Sequence, residues 1–271
     1  MIRFLILAGY FELTMYLQLS GKLNQYINLH YSYLAYISMF LSFVLALVQL
    51  IIWVKQMKIH SHLSGFWAKV ASISLLCIPL FVGLFFPTVT LDSQTVSAKG
   101  YHFPVAAGSS KEIQQDEGTT TQYLKPDTSS YFTKSAYESE MKQAAKKYVD
   151  KKVIQVTTEN YMEVMEVIYD YPDQFAGKTI ELTGFVYNDP NNKDSQFLFR
   201  FGIIHCIADS GVYGLLTTGA PQHFENNTWI HAKGTLSIEY HKQLKQSLPV
   251  LHITDCQTIT KPDNPYVYRV F

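Results

Sequence analysis

His205, Cys206 and Asp209 place an imidazole, a thiol and a carboxylate within five positions of one another. These are the ligand types that zinc takes. A structural zinc site closes with four ligands, and the sequence offers no CxxC or HExxH spacing to complete one. Adjacent residues of a strand point to opposite faces, so His205 and Cys206 meet one ion only where the backbone is irregular. The run Ile207–Ala208–Asp209–Ser210–Gly211 has the composition of a strand end. Further ligands would come from another strand, with His252 and Cys256 nearest by chemistry and on one face by their even spacing. Two other readings stand beside the metal site. In the first, which side-chain alternation favours, Cys206 is a core thiol and His205 a surface or hydrogen-bonded residue. In the second, Cys206 and Cys256 form a disulfide, which needs an oxidising compartment and a short Cα separation. Cys77 lies in an apolar run and reads as a packing residue.

Glu12 is the second candidate. It interrupts the apolar run Phe4 to Leu19. A carboxylate at that depth in a bilayer is costly and normally faces a protein partner or a wet cavity. Contact with a partner helix is the reading carried forward, with an ion path and a tilt that brings Glu12 to the interface as alternatives. His30, His60 and His62 sit at membrane edges and read as solvated.

Other chemistry is not encoded. There is no GxSxG, no P-loop, and no nucleophile with a recognisable base, so an enzyme is not expected. Asp170, Asp173, Asp189 and Asp194 lie in turn-forming stretches. Lys and Arg total 22 and so do Asp and Glu, so no basic excess favours nucleic acid. Phe197, Phe199, Phe201 and Tyr213 could form a base-stacking platform. Without a basic groove beside them, core packing is the better reading.

The elements that hold these residues divide sharply. Tyr31 to Val54 and Val70 to Leu91 are uncharged over lengths that match a bilayer core, about 30 Å or roughly 20 helical residues. Phe4 to Leu19 is shorter. Arg3 and the run after it would also suit a signal peptide. Glu12 and the lack of a small-x-small site near Ser20–Gly21–Lys22 favour a retained helix. The expected organisation is a three-span α-helical membrane domain over residues 1–91, a flexible linker over 92–130 and an α+β domain over 131–271. Lys55, Lys58 and Lys69, with His60 and His62, lie between the second and third spans without an acidic residue. Arg3 precedes the first span, and the loop after it holds only Lys22. The positive-inside rule then puts the N-terminus and the second loop in the cytoplasm and the C-terminal domain outside it.

In that domain Lys134 to Val149 and Tyr161 to Asp170 have helical periodicity. Asn160 and Glu163 fit a capping box before the second helix, and Pro172 follows its end. Strand patterns cover Lys178 to Tyr187, Gln196 to Cys206, Gly211 to Thr218, Thr228 to Ile238 and Leu248 to Ile259. Five strands with a break between the third and fourth predict an OB-like β-barrel, with the two helices before it covering an open side. Gly184 and Gly234 suit its tight bends. A small sandwich and a mixed sheet are the alternative folds.

The segments NYMEVMEVIYDYPDQFAGKTIELTGFVY, FLFRFGIIHCIADSGVYGLL, WIHAKGTL and PDNPYVY, with LILAGYFELTMYLQLSGKLNQYI at the front, resemble the YcgQ-like family of bacterial permease subunits. The resemblance covers nearly the whole chain except the linker. It implies a two-component system in the cell membrane, with a polytopic permease of the YcgR/YraQ type as partner, and a link to zinc homeostasis. The family pattern commonly has paired cysteines where this chain has His205–Cys206, followed by an aspartate matching Asp209. His keeps a metal-ligand type but removes the vicinal dithiol. The function expected is therefore a non-enzymatic accessory subunit of a membrane permease. Its helices would dock the partner in the bilayer, and its soluble domain would bind a ligand or the partner outside the cytoplasm. The alternatives are a stand-alone, membrane-anchored zinc-binding module and a cell-envelope factor that binds a glycan.

Overall fold

The computed structural model describes residues 1–57, 65–86, 90–99, 134–190, 196–241 and 246–269. Lys58, His60 and His62, most of the stretch read as linker, and the turn around Asn192 lie outside the described residues. The chain divides into two compact units, Met1–Thr90 and Leu91–Phe271.

The first unit is helical. Helices α1 (Ile2–Leu19), α2 (Ser32–Val54) and α3 (Phe66–Phe85) are long and apolar enough to cross a membrane. α3 starts earlier than the charge-free run suggests and takes in Lys69. A lysine near a helix end can carry its ammonium back to the interface on its long stem. The helix stops at Phe85 because Pro87 follows Phe86, and a residue before proline is driven into the extended region that Phe86 occupies. α1 and α3 approach closely through glycine. A Cβ on Gly9 would stand 3.1 Å from a Leu80 methyl, and one on Gly83 2.9 Å from a Leu13 methyl. The Tyr10 hydroxyl donates to the Leu76 carbonyl of α3 at 2.9 Å. Phe11 of α1 meets Phe43 of α2 at 5.3 Å between ring centroids.

The second unit is α+β. In chain order it contains α4 (Ser93–Lys99), α5 (Lys134–Val149), β1 (Val153–Gln155), α6 (Tyr161–Asp170), α7 (Pro172–Phe175), β2 (Thr179–Asn188), β3 (Gln196–Ile203), β4 (Gly211–Thr218), β5 (Trp229–His241), β6 (Gln246–Thr258) and β7 (Tyr266–Tyr268). Among the described residues the sheet has seven strands, not five: β1 runs parallel to β2, and β7 parallel to β3. β2 pairs with β5 along Thr179–Phe185 and with β3 along Phe185–Asn188, antiparallel to both. β3 pairs with β4, β4 runs parallel to β6, and β6 pairs with β5. Following the ladders from β2 through β3, β4, β6 and β5 thus returns to β2.

Glycines permit the tight passages. A Cβ on Gly214 would lie 1.9 Å from the Leu198 carbonyl oxygen. At Gly234 it would lie 2.2 Å from the His252 carbonyl, where the β5–β6 register shifts. α6 packs on the sheet with Tyr161, Val164, Met165, Val167 and Ile168 fully buried. The Tyr161 and Tyr169 hydroxyls donate to the Tyr213 and Gly214 carbonyls. The expected capping box does not form. Asn160 accepts from the Thr157 N–H, and Glu163 instead accepts from Lys147 and the Tyr148 hydroxyl.

Two faces of β2 behave differently along its length. Ile180, Leu182, Gly184 and Val186 share the buried face, while Glu181 and Thr183 on the other are half-exposed. Phe185 and Tyr187 continue that outward face, yet both are buried. Every residue of β3 is buried too. Another layer therefore covers the outward face where β2 meets β3. α4 belongs to it: Val96 is fully buried in the core of this unit, and the Ser97 hydroxyl reaches the Tyr187 hydroxyl.

Candidate functional site

The turn after β3 shows what the three clustered candidates do. β3 ends at Ile203, before His205 and Cys206, and a one-turn 3-10 helix covers Ile207–Asp209. The Asp209 carboxylate folds back over this turn and accepts from the backbone N–H groups of Ile204, His205 and Cys206 at 3.0–3.3 Å. The Cys206 side chain accepts from the Asp209 N–H, closing a reciprocal cap. His205, about half-exposed, meets the Asp209 carboxylate through Nδ1 at 2.9 Å. The irregular backbone expected there is present, and it brings His205 to Asp209. The aspartate, however, is engaged with backbone donors, and no group of three or more His, Cys, Asp or Glu side chains is placed to hold a metal among the described residues. Cys77, Cys206 and Cys256 are all free thiols.

The residues considered as further ligands are engaged elsewhere. His252 Nδ1 meets the Thr218 hydroxyl at 2.8 Å, and its Nε2 meets Ser237 and Glu239 at 2.8 and 2.5 Å. Cys256 faces Ala232 across the β5–β6 ladder, and burial followed by the nearby Asp255 charge pushes its thiol up from the usual range. A thiol shifted in that direction is a poorer source of thiolate at neutral pH. A matching network escaped sequence reasoning: His231 joins Thr183 through Nδ1 and Glu181 through Nε2, each at 2.9 Å. The only available signal was the even spacing of Glu181 and Thr183 on one strand.

The two buried arginines were also illegible as participants. Arg200 is 3% exposed and donates to the carbonyls of Asn264, Pro265 and Tyr266 and to the Thr158 hydroxyl. Its guanidinium lies between the rings of Tyr161 and Trp229, at 5.7 and 5.8 Å. Burial lowers its pKa, but it remains a cation and anchors the segment that becomes β7. Arg269 forms a buried ion pair with Glu166 at 3.4 Å. That pair lines a cleft of about 210 Å³, with Glu140, Asn160, Glu163 and Tyr268 around it. Burial pushes the Tyr268 hydroxyl up to about 12. Glu163 is already held by Lys147 at 2.8 Å and the Tyr148 hydroxyl at 2.6 Å, so the cleft is a place of paired charges.

In the membrane unit Glu12 lies on the exposed side of α1, with no hydrogen-bond or ion-pair partner among the described residues. Its exposed neighbours on the helix are apolar or aromatic: Leu5, Met15, Tyr16 and Leu19.

Comparison with known proteins follows the same division of the chain. The DUF1980 N-terminal domain matches residues 2–102, and the DUF1980 C-terminal domain matches residues 131–269. The chain belongs to the DUF1980 family. A Streptococcus mutans protein named as a subunit of a two-component membrane permease complex is 67% identical over 271 residues, covering 100% of both chains. The protein YcgQ of Bacillus subtilis is 40% identical over 291 residues, again covering 100% of both. The resemblance to the YcgQ-like family therefore holds along the full length. The N-terminal DUF1980 match includes α4, although in the structure α4 packs with the sheet unit.

Proposed function

We propose that this DUF1980 chain is the non-enzymatic accessory subunit of a two-component membrane permease. The observation that carries this reading is the full-length relative, 67% identical, named as a subunit of such a complex. The architecture supports it. Three apolar helices leave large side chains such as Phe40, Trp67 and Phe81 exposed, which suits lipid and a polytopic partner of the YcgR/YraQ type. Glu12 on the outer side of α1 suits a partner helix that offers a donor or a cation. The sheet unit is read as an OB-like barrel with two added strands, because the ladders of β2 to β6 close on themselves. The lysines between α2 and α3 support a location of this unit outside the cytoplasm. There it engages the permease or a ligand. The buried aromatic face of β3 does not favour glycan binding, because stacking on a sugar or a base needs exposed rings.

The test is affinity purification of the tagged full chain in mild detergent, with mass spectrometry of partners and metal analysis of the same sample. A polytopic permease recovered in stoichiometric amount is the expected result. Recovery of the chain alone would overturn the accessory-subunit reading, and stoichiometric zinc on the lone chain would establish the metal-module alternative. A reporter fused after Phe271 should be active only outside the cytoplasm.

A further inference from the structure

The outward face where β2 meets β3 is aromatic and fully covered. Tyr187 lies 6.4 and 5.9 Å from Phe197 and Phe199, which stack on each other at 5.2 Å. Phe185 stacks on Phe201 at 5.6 Å, and Tyr266 of β7 lies on the neighbouring strand. Against this face lies a segment that the chain delivers from its membrane end. The Leu91 N–H donates to the Tyr266 hydroxyl at 3.0 Å, and the Ser93 N–H to the Asn227 side-chain carbonyl at 2.8 Å. The Ser97 hydroxyl donates to the Tyr187 hydroxyl at 3.4 Å, and Val96 between them is 0% exposed.

We propose that this aromatic face is an exchangeable peptide-binding site, filled in this structure by the chain's own Leu91–Lys99. Three features make the segment a ligand rather than a permanent layer. Its helix is only 7 residues long, too short to stand alone, so it forms on the surface that receives it. Asp92 starts that helix by accepting from the Gln94 and Thr95 N–H groups, so the segment carries its own cap. Its hold on the sheet is modest among the described residues: the aliphatic side chains of Leu91 and Val96, the small buried Ser93 and three hydrogen bonds, two of them made by its backbone. Covalent attachment supplies the rest by raising the local concentration of the segment. A competitor needs the same chemistry: a short amphipathic peptide with two aliphatic side chains spaced as Leu91 and Val96, backbone N–H groups for Tyr266 and Asn227, and a hydroxyl one turn into the helix. The inference itself rests only on the contacts of α4, and it stands if no permease is found.

The test uses the full chain in detergent and a fluorescent peptide with the sequence of residues 91–99 as probe. Val96→Asp should expel the chain's own segment and open the face. Ser93→Pro is the milder variant, since proline suits the first helical position; it removes the N–H that meets Asn227 and replaces the small buried Ser93 side chain. Both variants should bind the peptide saturably and at least tenfold more tightly than the wild-type chain. A peptide carrying Asp in place of the valine should not bind. Absence of binding to either variant, while it still melts cooperatively, would overturn the proposal. So would loss of cooperative melting in both, since α4 would then be an integral part of the core.

Discussion

The two units use the same apolar residue types in opposite ways. In the membrane unit Ile6, Leu23, Ala46 and Leu80 are the buried hydrophobic side chains among the described residues, and most other large ones face outward. Among the described residues of the sheet unit the exposed large hydrophobic ones are Val153 and Tyr240, while the aromatic residues of β2 and β3, and Tyr266 of β7, are almost wholly enclosed. The sheet unit provides its own apolar solvent. The helical unit is completed by lipid and, on the function proposed, by a partner. Their glycines differ in the same sense. Gly9 and Gly83 admit the ends of leucine side chains, whereas Gly184, Gly214 and Gly234 admit backbone carbonyls. A side-chain end can rotate away, but a paired strand cannot.

That contrast gives the largest expected effect. Gly214→Ala sets a methyl 1.9 Å from a carbonyl oxygen of a paired strand and should cost about 3 kcal/mol or more, enough to abolish cooperative melting of the sheet unit. Gly83→Ala meets only Leu13 methyls and should cost about 1 kcal/mol or less. Thermal melting of the two variants in the same detergent compares them, and equal losses would remove the distinction. Next in size is Arg200→Met. It leaves the carbonyls of Asn264, Pro265 and Tyr266 without their buried donor, and roughly 3 kcal/mol should be lost. Proteolysis should then begin near the C-terminal segment, which the guanidinium holds in place.

Alkaline pH should separate the units as well. Burial raises the hydroxyl pKa of Tyr161, Tyr169 and Tyr213, and that of Tyr268 to about 12. A folded pKa above the unfolded value near 10 means that the unfolded chain loses its proton first. Stability from these groups is therefore complete below about pH 10 and declines as pH rises toward and through the folded values. The melting temperature of the sheet unit should fall across that window. A flat profile up to pH 12 would contradict the burial of these hydroxyls. The smallest effect belongs to the turn after β3. Asp209→Ala removes the acceptor of three backbone N–H groups and should cost roughly 1–2 kcal/mol. His205→Ala loses only an exposed ion pair and should change stability by less than about 0.5 kcal/mol. A larger loss at His205 than at Asp209 would mean that the histidine has a role beyond this turn.

Long, strongly patterned elements were legible in the sequence. The helices over Lys134–Val149 and Tyr161–Asp170 and the strand Gly211–Thr218 fall where periodicity puts them. So do the three apolar helices, apart from the late start and overlong end expected for the third. What escaped is what tertiary contact creates. β1 and β7 have three residues each, too few to show a period, and exist through their ladders to β2 and β3. α4, with the sequence SQTVSAK, has the composition of a linker, and only the tyrosines far along the chain reveal that its valine is core. The role of Arg200 escaped because its partners are mostly backbone carbonyls, which carry no residue-type signal. At the His205 turn the irregular backbone was foreseeable from composition. The engagement of Asp209 with three amides was not, since an aspartate that caps a turn and one that binds a metal look alike in sequence.

The proposed accessory-subunit role would make the exposed side of α1 an interface, with Glu12 as its polar contact. The most direct measurement compares recovery of the permease partner by tagged wild-type chain and by Glu12→Leu, with membrane insertion measured in parallel. The substitution makes the helix more apolar, so insertion should be retained while recovery of the partner falls at least tenfold. Undiminished recovery of the partner by an inserted Glu12→Leu chain would contradict the account.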